Sequence, residues 1–104
     1  MPTELRLVVK SELGLHARPA AAFVQAAARF SARVEVHNLT TGKGPASARS
    51  LLALLSLGVR QGHEVRLVAE GEQESEAVLA LAELLGGKDA ELEKGLDQFQ
   101  GAGA

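Results

Sequence analysis

Three short segments of the chain alternate apolar and polar residues, which is the pattern of a β-strand buried on one face only. They occupy residues 4–10, 33–37 and 64–69. Strands of this kind form a sheet with one face against a core and the other against solvent. The alternation therefore predicts an open-faced sheet whose core lies on a single side.

Helical periodicity separates the alternating segments. Apolar residues recur at the spacing of a helix in three stretches, at 17–30, 50–57 and 77–85. Each stretch is too short to span a membrane and long enough to cover part of a sheet. The last of them is predicted to face inward through Leu81, Leu84 and Leu85.

The segment 38–47 is rich in Thr, Gly and Pro and is interpreted as a turn followed by a weak strand. Pro45 confines that strand to a sheet edge, because proline has no N–H to donate to a ladder. The element order is then β-α-β-β-α-β-α. It predicts the α+β class, a two-layer open-faced β-sandwich with three helices on one face of a four-stranded sheet.

Composition limits the function classes that this fold can serve. The chain has 104 residues, 46% of them hydrophobic, so we expect one domain with its own core. It contains no cysteine, which excludes disulfides, thiol catalysis and thiolate metal sites. A net charge of −2 with interspersed signs leaves no basic footprint for nucleic acid. The chain shows no signal peptide and no membrane span, so a cytoplasmic protein without membrane insertion is expected.

The stretch from Gly14 to Ala21 carries the strongest functional signal. His16 stands at the entrance to the first predicted helix, and Arg18 and Pro19 follow in the first turn. Proline is tolerated there because its missing N–H would have no helical partner anyway. A helix N-terminus carries partial positive charge and unpaired N–H groups, so it attracts anions. An imidazole, a guanidinium and backbone donors in one small volume suit a phosphoryl group carried on the ring.

These residues resemble the HPr family, the histidine-containing phosphocarriers of the bacterial phosphoenolpyruvate-dependent sugar phosphotransferase system. The resemblance rests on the motif from Gly14 to Ala20, on Arg49–Leu52 and Ser56–Val59, and on the glycines at 62 and 71. It covers about residues 4 to 87 and implies an antiparallel sheet with strand order 1-4-2-3.

The sequence departs from the family pattern in two places. The segment 38–47 is longer than is typical, and Gly44–Pro45 is expected to disturb the third strand. Residues 88–104 extend past the family's usual end. The chain is therefore divided into an HPr-like phosphocarrier domain at 1–87 and a C-terminal extension at 88–104, predicted to be a loose helix or disordered.

The resemblance implies that His16 accepts a phosphoryl group on Nδ1 from phosphorylated Enzyme I and passes it to sugar-specific IIA proteins. Arg18 would hold phosphate oxygens through charge-assisted hydrogen bonds. The chain would be a monomeric phosphoryl carrier, not an enzyme, and no cofactor or metal is implied. His37 and His63 are interpreted as a residue on a strand's polar face and a turn residue.

Ser50 precedes the second predicted helix and is interpreted as its N-cap, with Ser47 as a competing cap. The resemblance adds a regulatory role, since the corresponding serine is phosphorylated in many family members. That role implies two further classes of partner, a dedicated HPr kinase/phosphorylase and transcriptional regulators.

The second predicted helix contains more leucines than a two-turn helix buries on one stripe. One interpretation is a tightly packed core helix. The resemblance implies the other, in which Leu52 and Leu55, with Leu51 and Ala21, form an exposed apolar patch that partners cover. Arg49 and Lys43 would lie on its rim.

Three alternative functions remain at this point. The first is the nitrogen-related paralogue, which carries phosphate for regulation instead of transport. The second is a regulatory adaptor that carries no phosphate, although known adaptors of that type replace the histidine. The third is a small β-α-β-β-α-β ligand-binding domain, which does not require the His-Ala-Arg-Pro turn.

Overall fold

The computed structural model describes residues 2–12, 14–15, 17–86 and 91–92, with the side chains of Ala17, Glu91 and Leu92 excepted. Among these described residues, eight elements follow one another: β1 (Thr3–Val8), α1 (Ala17–Ala27), β2 (Arg33–Asn38), β3 (Lys43–Ser47), α2 (Leu51–Ser56), β4 (Glu64–Glu70), α3 (Glu74–Leu84) and β5 (Glu91–Leu92).

Each strand of the sheet runs antiparallel to its neighbours, in the order β3-β2-β4-β1-β5. The first four strands therefore have the predicted order 1-4-2-3. One row across them consists of Leu5, Leu67, Val36 and Ala46, paired in register and all buried. This row confirms that the alternating segments turn their apolar residues to one side.

The three helices pack on that apolar side and complete the core. Phe23 of α1, Leu54 of α2 and Leu81 of α3 are fully buried together with the strand leucines and valines. The opposite face carries a polar row in which Arg6 and His37 flank Arg66 in register. This arrangement confirms the α+β two-layer open-faced sandwich.

Two details of the helices differ from the sequence interpretation. Helix α1 ends at Ala27 instead of Phe30, whose side chain is partly buried against the core. Leu84 was predicted to face inward, and this is wrong because it is 41% exposed. Val78, Leu81 and Leu85 lie three to four residues apart and define the buried stripe of α3, and Leu84 falls beside that stripe.

Strand β3 confirms the expectations for the segment that contains Pro45. It lies at the edge of the sheet, where a residue without an N–H is tolerated. The register against β2 shifts between the pairs Val36–Ala46 and Asn38–Lys43. Two residues of β3, Gly44 and Pro45, therefore lie opposite the single residue His37, as in a β-bulge.

The C-terminal extension contributes a strand that the sequence interpretation did not include. Glu91 and Leu92 pair antiparallel with Arg6 and Leu5 at the outer side of β1. At these two positions the expected loose helix or disorder is wrong, because the backbone pairs with an open sheet edge. The remainder of 88–104 lies outside the described residues. Within the described part of the chain, no helix is long and apolar enough to cross a bilayer.

Candidate functional site

The turn that precedes α1 rests on the loop that follows α2. Leu15 donates its backbone N–H to the carbonyl of Val59 at 3.0 Å, and its side chain is buried. Gly14 has a φ of +56°, and a Cβ there would lie 2.4 Å from the Val59 oxygen and 2.9 Å from the Cα of Arg60. Only glycine fits this conformation and this close backbone contact.

Helix α1 begins at Ala17, the residue directly after His16 in the chain. His16 itself lies outside the described residues. Pro19 is the third residue of the helix, so the predicted first-turn proline is confirmed. No acidic residue occupies that turn, and its N-terminal partial charge is therefore not offset by a neighbouring carboxylate of the helix. An anion is favoured at such an end.

Arg18 is exposed at the second position of α1. Among the described residues, no hydrogen bond or salt bridge holds its guanidinium. The side chain is thus exposed and held by no described residue, and its predicted role in holding phosphate stays a prediction.

Ser50 is the N-cap of α2, as predicted. Its backbone is extended, with φ −112° and ψ 107°, and its Oγ accepts the N–H of Ala53 at 3.2 Å. The competing serine, Ser47, accepts the N–H of Arg49 instead, also at 3.2 Å. Ser50 is only partly buried, so its hydroxyl lies near the surface at the start of the helix.

Three of the four leucines of α2 that the sequence singled out are exposed. Leu54 alone is fully buried, whereas Leu51 and Leu55 are partly exposed and Leu52 is 80% exposed. The packed-core interpretation therefore holds for Leu54 only. We call the exposed set of Leu51, Leu52 and Leu55 the leucine face.

The other residues predicted for docking lie around α1 and β3. Ala21 is half-buried on α1, which packs against α2. Arg49 is exposed, and its guanidinium donates to the carbonyl of Phe30, just past the end of α1, at 2.5 Å. Lys43 is exposed at the start of β3. The Arg49 guanidinium is thus bonded to the segment between α1 and β2.

The sequence pattern assigns Asn38 and His63 to turns and gives neither of them a role near the site. Asn38, assigned to a turn, is fully buried at the end of β2. Its amide contacts His63, which lies 25 residues further along the chain. One sequence signal was available: position 38 continues the alternation of Val34 and Val36, so a polar side chain falls on the core face and needs partners.

Within the described residues, no group of three or more His, Asp or Glu side chains is placed to hold a metal ion. A glycine turn precedes His16 in the chain, and a helix N-terminus and an exposed guanidinium follow it; the last two are groups that favour an anion.

Comparison with known proteins agrees with this chemistry. Residues 3–86 match the family model PTS-HPr, described as the PTS HPr component phosphorylation site. The chain is 46% identical over 77 residues to the HPr-like protein Crh of Bacillus subtilis, covering 74% of this chain and 87% of that protein. It is 40% identical over 77 residues to a multiphosphoryl transfer protein of Haemophilus influenzae, covering 74% of this chain but only 15% of that relative's length.

Among solved structures, the fold resembles that of a phosphocarrier protein HPr from Bacillus anthracis. The TM-score is 0.75 at 36% identity, covering 81% of this chain and 96% of the other. The family match spans both the glycine turn before α1 and the cap of α2. The chain therefore belongs to the HPr family, the phosphocarriers of the bacterial phosphotransferase system.

Proposed function

We propose that His16 accepts a phosphoryl group from phosphorylated Enzyme I and donates it to sugar-specific IIA proteins. The observation that carries this proposal is the turn at Gly14–Leu15. A family-matched sequence there precedes a helix N-terminus without acidic residues, and the exposed Arg18 has no partner among the described residues. The protein acts as a monomer in the cytoplasm. Enzyme I and the IIA proteins bind there, one after the other, to the same surface of the chain.

The transfer is a displacement at phosphorus. The lone pair of the His16 Nδ1 forms the new N–P bond while the N–P bond to the donor's phosphohistidine breaks. Such a reaction needs positioning and charge stabilisation more than covalent help from the protein. Arg18 neutralises the phosphate oxygens, and the first backbone N–H groups of α1 donate to them.

The leucine face supplies the docking surface, together with Ala21 and Arg49. It is apolar and exposed on α2, and the exposed Arg49 precedes its first leucine by two residues in the chain. Exposed apolar patches bordered by charge commonly mark interfaces. Enzyme I and the IIA proteins cover the same patch, so each leaves before the other binds.

Ser50 gives the same surface a regulatory site. A phosphate on its Oγ meets the favourable dipole of α2 and places negative charge beside the leucine face. A kinase of the HPr kinase/phosphorylase type adds this group, which weakens docking of Enzyme I and creates a surface for transcriptional regulators.

The similarity to Crh supports a second candidate, a regulatory adaptor that carries no phosphate on histidine. The presence of His16 favours the carrier, because adaptors of that type replace the histidine. The nitrogen-related paralogue would use the same phosphocarrier chemistry for regulation. The identity of the IIA protein that accepts the phosphoryl group distinguishes it from a carrier for sugar transport.

Incubation with Enzyme I and phosphoenolpyruvate, followed by intact-mass measurement, tests the carrier function. We expect one acid-labile phosphoryl group on the wild-type chain and none on His16→Ala. His37→Ala is the matched control and retains the modification, since His37 lies on the opposite side of the sheet. A wild-type mass that stays unshifted with competent Enzyme I would favour the adaptor instead.

A further inference from the structure

A buried amide joins the end of β2 to the loop that follows α2. The side-chain Oδ1 of Asn38 accepts the N–H groups of Thr40 and Thr41 at 3.1 and 3.3 Å. Its Nδ2 donates to the carbonyl of Leu57 at 3.0 Å and to Nδ1 of His63 at 3.2 Å. Every donor and acceptor of this fully buried amide is therefore used, and its orientation is fixed.

The hydrogen-bond partners of the His63 ring indicate its tautomer. Nδ1 faces the Nδ2 of Asn38 and the backbone N–H of Arg60, both at 3.2 Å. Both of these groups are donors, so the single lone pair of Nδ1 accepts from both, which assigns the ring N–H to Nε2. The His63 N–H in turn donates to the carbonyl of Arg60 at 3.0 Å, which closes a turn.

Together these bonds hold the loop 57–63 at both ends. Asn38 fixes its start through Leu57, and His63 fixes its end through Arg60. Between these two points lies Val59, whose carbonyl accepts the N–H of Leu15. The loop that Asn38 and His63 fasten is thus the one on which the turn before α1 rests.

We propose that Asn38 and His63 form a clasp that positions the Gly14–Leu15 turn, and with it the phosphoryl-accepting residue that follows in the chain. This inference rests on the proposed function. Both clasp residues act through the loop and touch no substrate, so they are positioning residues. Reactions that depend on alignment lose rate steeply when the reacting groups are misplaced by even about 1 Å.

A pair of variants at His63 separates positioning from bulk. In His63→Asn, the new Oδ1 offers an acceptor where Nδ1 stood, whereas His63→Leu leaves the donors of Asn38 and Arg60 without a partner. In an assay with Enzyme I and phosphoenolpyruvate, this chain is the phosphoryl acceptor and the variants change the kinetic constants of Enzyme I for it. We expect His63→Leu to lower this kcat about tenfold and to leave the KM for the chain within about twofold. KM should be preserved because the leucine face, the proposed docking surface, is not part of the clasp. His63→Asn should restore kcat to within about threefold of wild type.

Thr3→Val is the control for destabilisation alone. It removes the buried hydroxyl that donates to Glu74 at 2.5 Å, at the opposite end of the sheet. We expect a lower Tm with unchanged kcat. All kinetics are measured well below each variant's Tm, and if His63→Leu does not fold, His63→Ala removes the same acceptor without added bulk.

A second measurement, by NMR, tests the clasp without the phosphoryl-transfer reaction. The backbone amide NMR signals of Gly14 and Leu15 should move in His63→Leu and return in His63→Asn. Unmoved signals, or equal loss of kcat in both His63 variants, would overturn the clasp. A wild-type chain that Enzyme I cannot load would instead overturn the proposed function and leave the NMR result to decide on the clasp.

Discussion

Arg18 combines exposure with the absence of a partner among the described residues. Its position in the first turn of α1 puts a permanent positive charge next to the residue proposed to be loaded. An arginine there supplies several N–H groups in a planar fork that matches phosphate oxygens. Lysine offers the same charge without this geometry.

Replacing Arg18 should therefore slow the chemistry. We expect Arg18→Ala to reduce the rate of phosphoryl transfer from Enzyme I roughly 10²-fold, the typical effect of losing one charge-stabilising donor. Arg18→Lys should lie in between. Rapid-quench measurement with radiolabelled phosphoenolpyruvate provides the rates.

Arg29→Ala is the matched control, because Arg29 is also exposed but follows the far end of α1. Its rate should equal that of the wild type. Equal losses in both arginine variants would show that overall charge matters and that Arg18 has no local role.

Among single residues, the sequence identified those whose structural requirement lies within a few neighbouring positions of the chain. Gly14 and Pro19 have backbone requirements that belong to a single turn, and Ser50 has the position of a cap. The clasp was missed because Asn38 and His63 meet only when strands distant in the chain pair. The alternation of β2 marked position 38 as inward-facing, but nothing local named its partner.

Helix α2 depends on its cap more than a longer helix would. It has only six residues, a length at which an isolated helix in water is marginal. Its buried side chain is Leu54, so few core contacts compensate for a lost terminal hydrogen bond. The N-cap bond from Ala53 to Ser50 is therefore a substantial part of what holds its first turn.

We expect Ser50→Ala to lower the free energy of unfolding by about 1 kcal/mol. Ser56→Ala is the control, because that hydroxyl donates to the Ala53 carbonyl at an exposed site near the end of the helix. Its effect should stay within about 0.5 kcal/mol. Urea denaturation followed by circular dichroism gives both values, and equal losses would contradict the capping role.

The sequence predicted where the helices and strands lie better than it predicted where they end and which of their residues are buried. Helical spacing located α1 and α3, but it did not show that α1 stops at Ala27 or that Leu84 lies beside the buried stripe. The facing of Leu84 depends on how α3 is rotated against the sheet, and the end of α1 depends on where its backbone hydrogen bonds stop. Tertiary packing influences both. The edge position of β3 was predictable because the reason, Pro45, is a property of one residue.

Across the whole molecule, the core and the proposed docking surface use different leucines of the same short helix. Leu54 is fully buried in the core, whereas Leu52 is almost fully exposed. A surface substitution away from packed contacts changes stability little. The two properties can therefore be separated by single substitutions.

Leu52→Glu should weaken binding to Enzyme I about tenfold, since it removes an apolar contact and adds charge at the interface. Its free energy of unfolding should change by less than about 0.5 kcal/mol. Leu84→Glu provides the control, an exposed leucine on α3 outside the leucine face. Isothermal titration with Enzyme I measures the affinities, and unchanged binding of the Leu52 variant would remove the leucine face from the docking surface.

The strand order came from the resemblance, and the described residues reproduce it for four strands. The fifth strand did not follow from the sequence, because two residues without alternation carry no periodic signal. Pairing with an open edge of β1 is a property of the assembled sheet and not of the segment itself.

That added strand also has a consequence for the behaviour of the protein at high concentration. Long, regular edges allow other chains to join a sheet and start aggregation. Here one margin is partly occupied by Glu91 and Leu92, and the other is interrupted by Pro45 and its bulge. Within the part of the chain that the structure describes, neither side offers a continuous template, so we expect this sheet to resist growth into oligomeric β-structure when the chain is crowded.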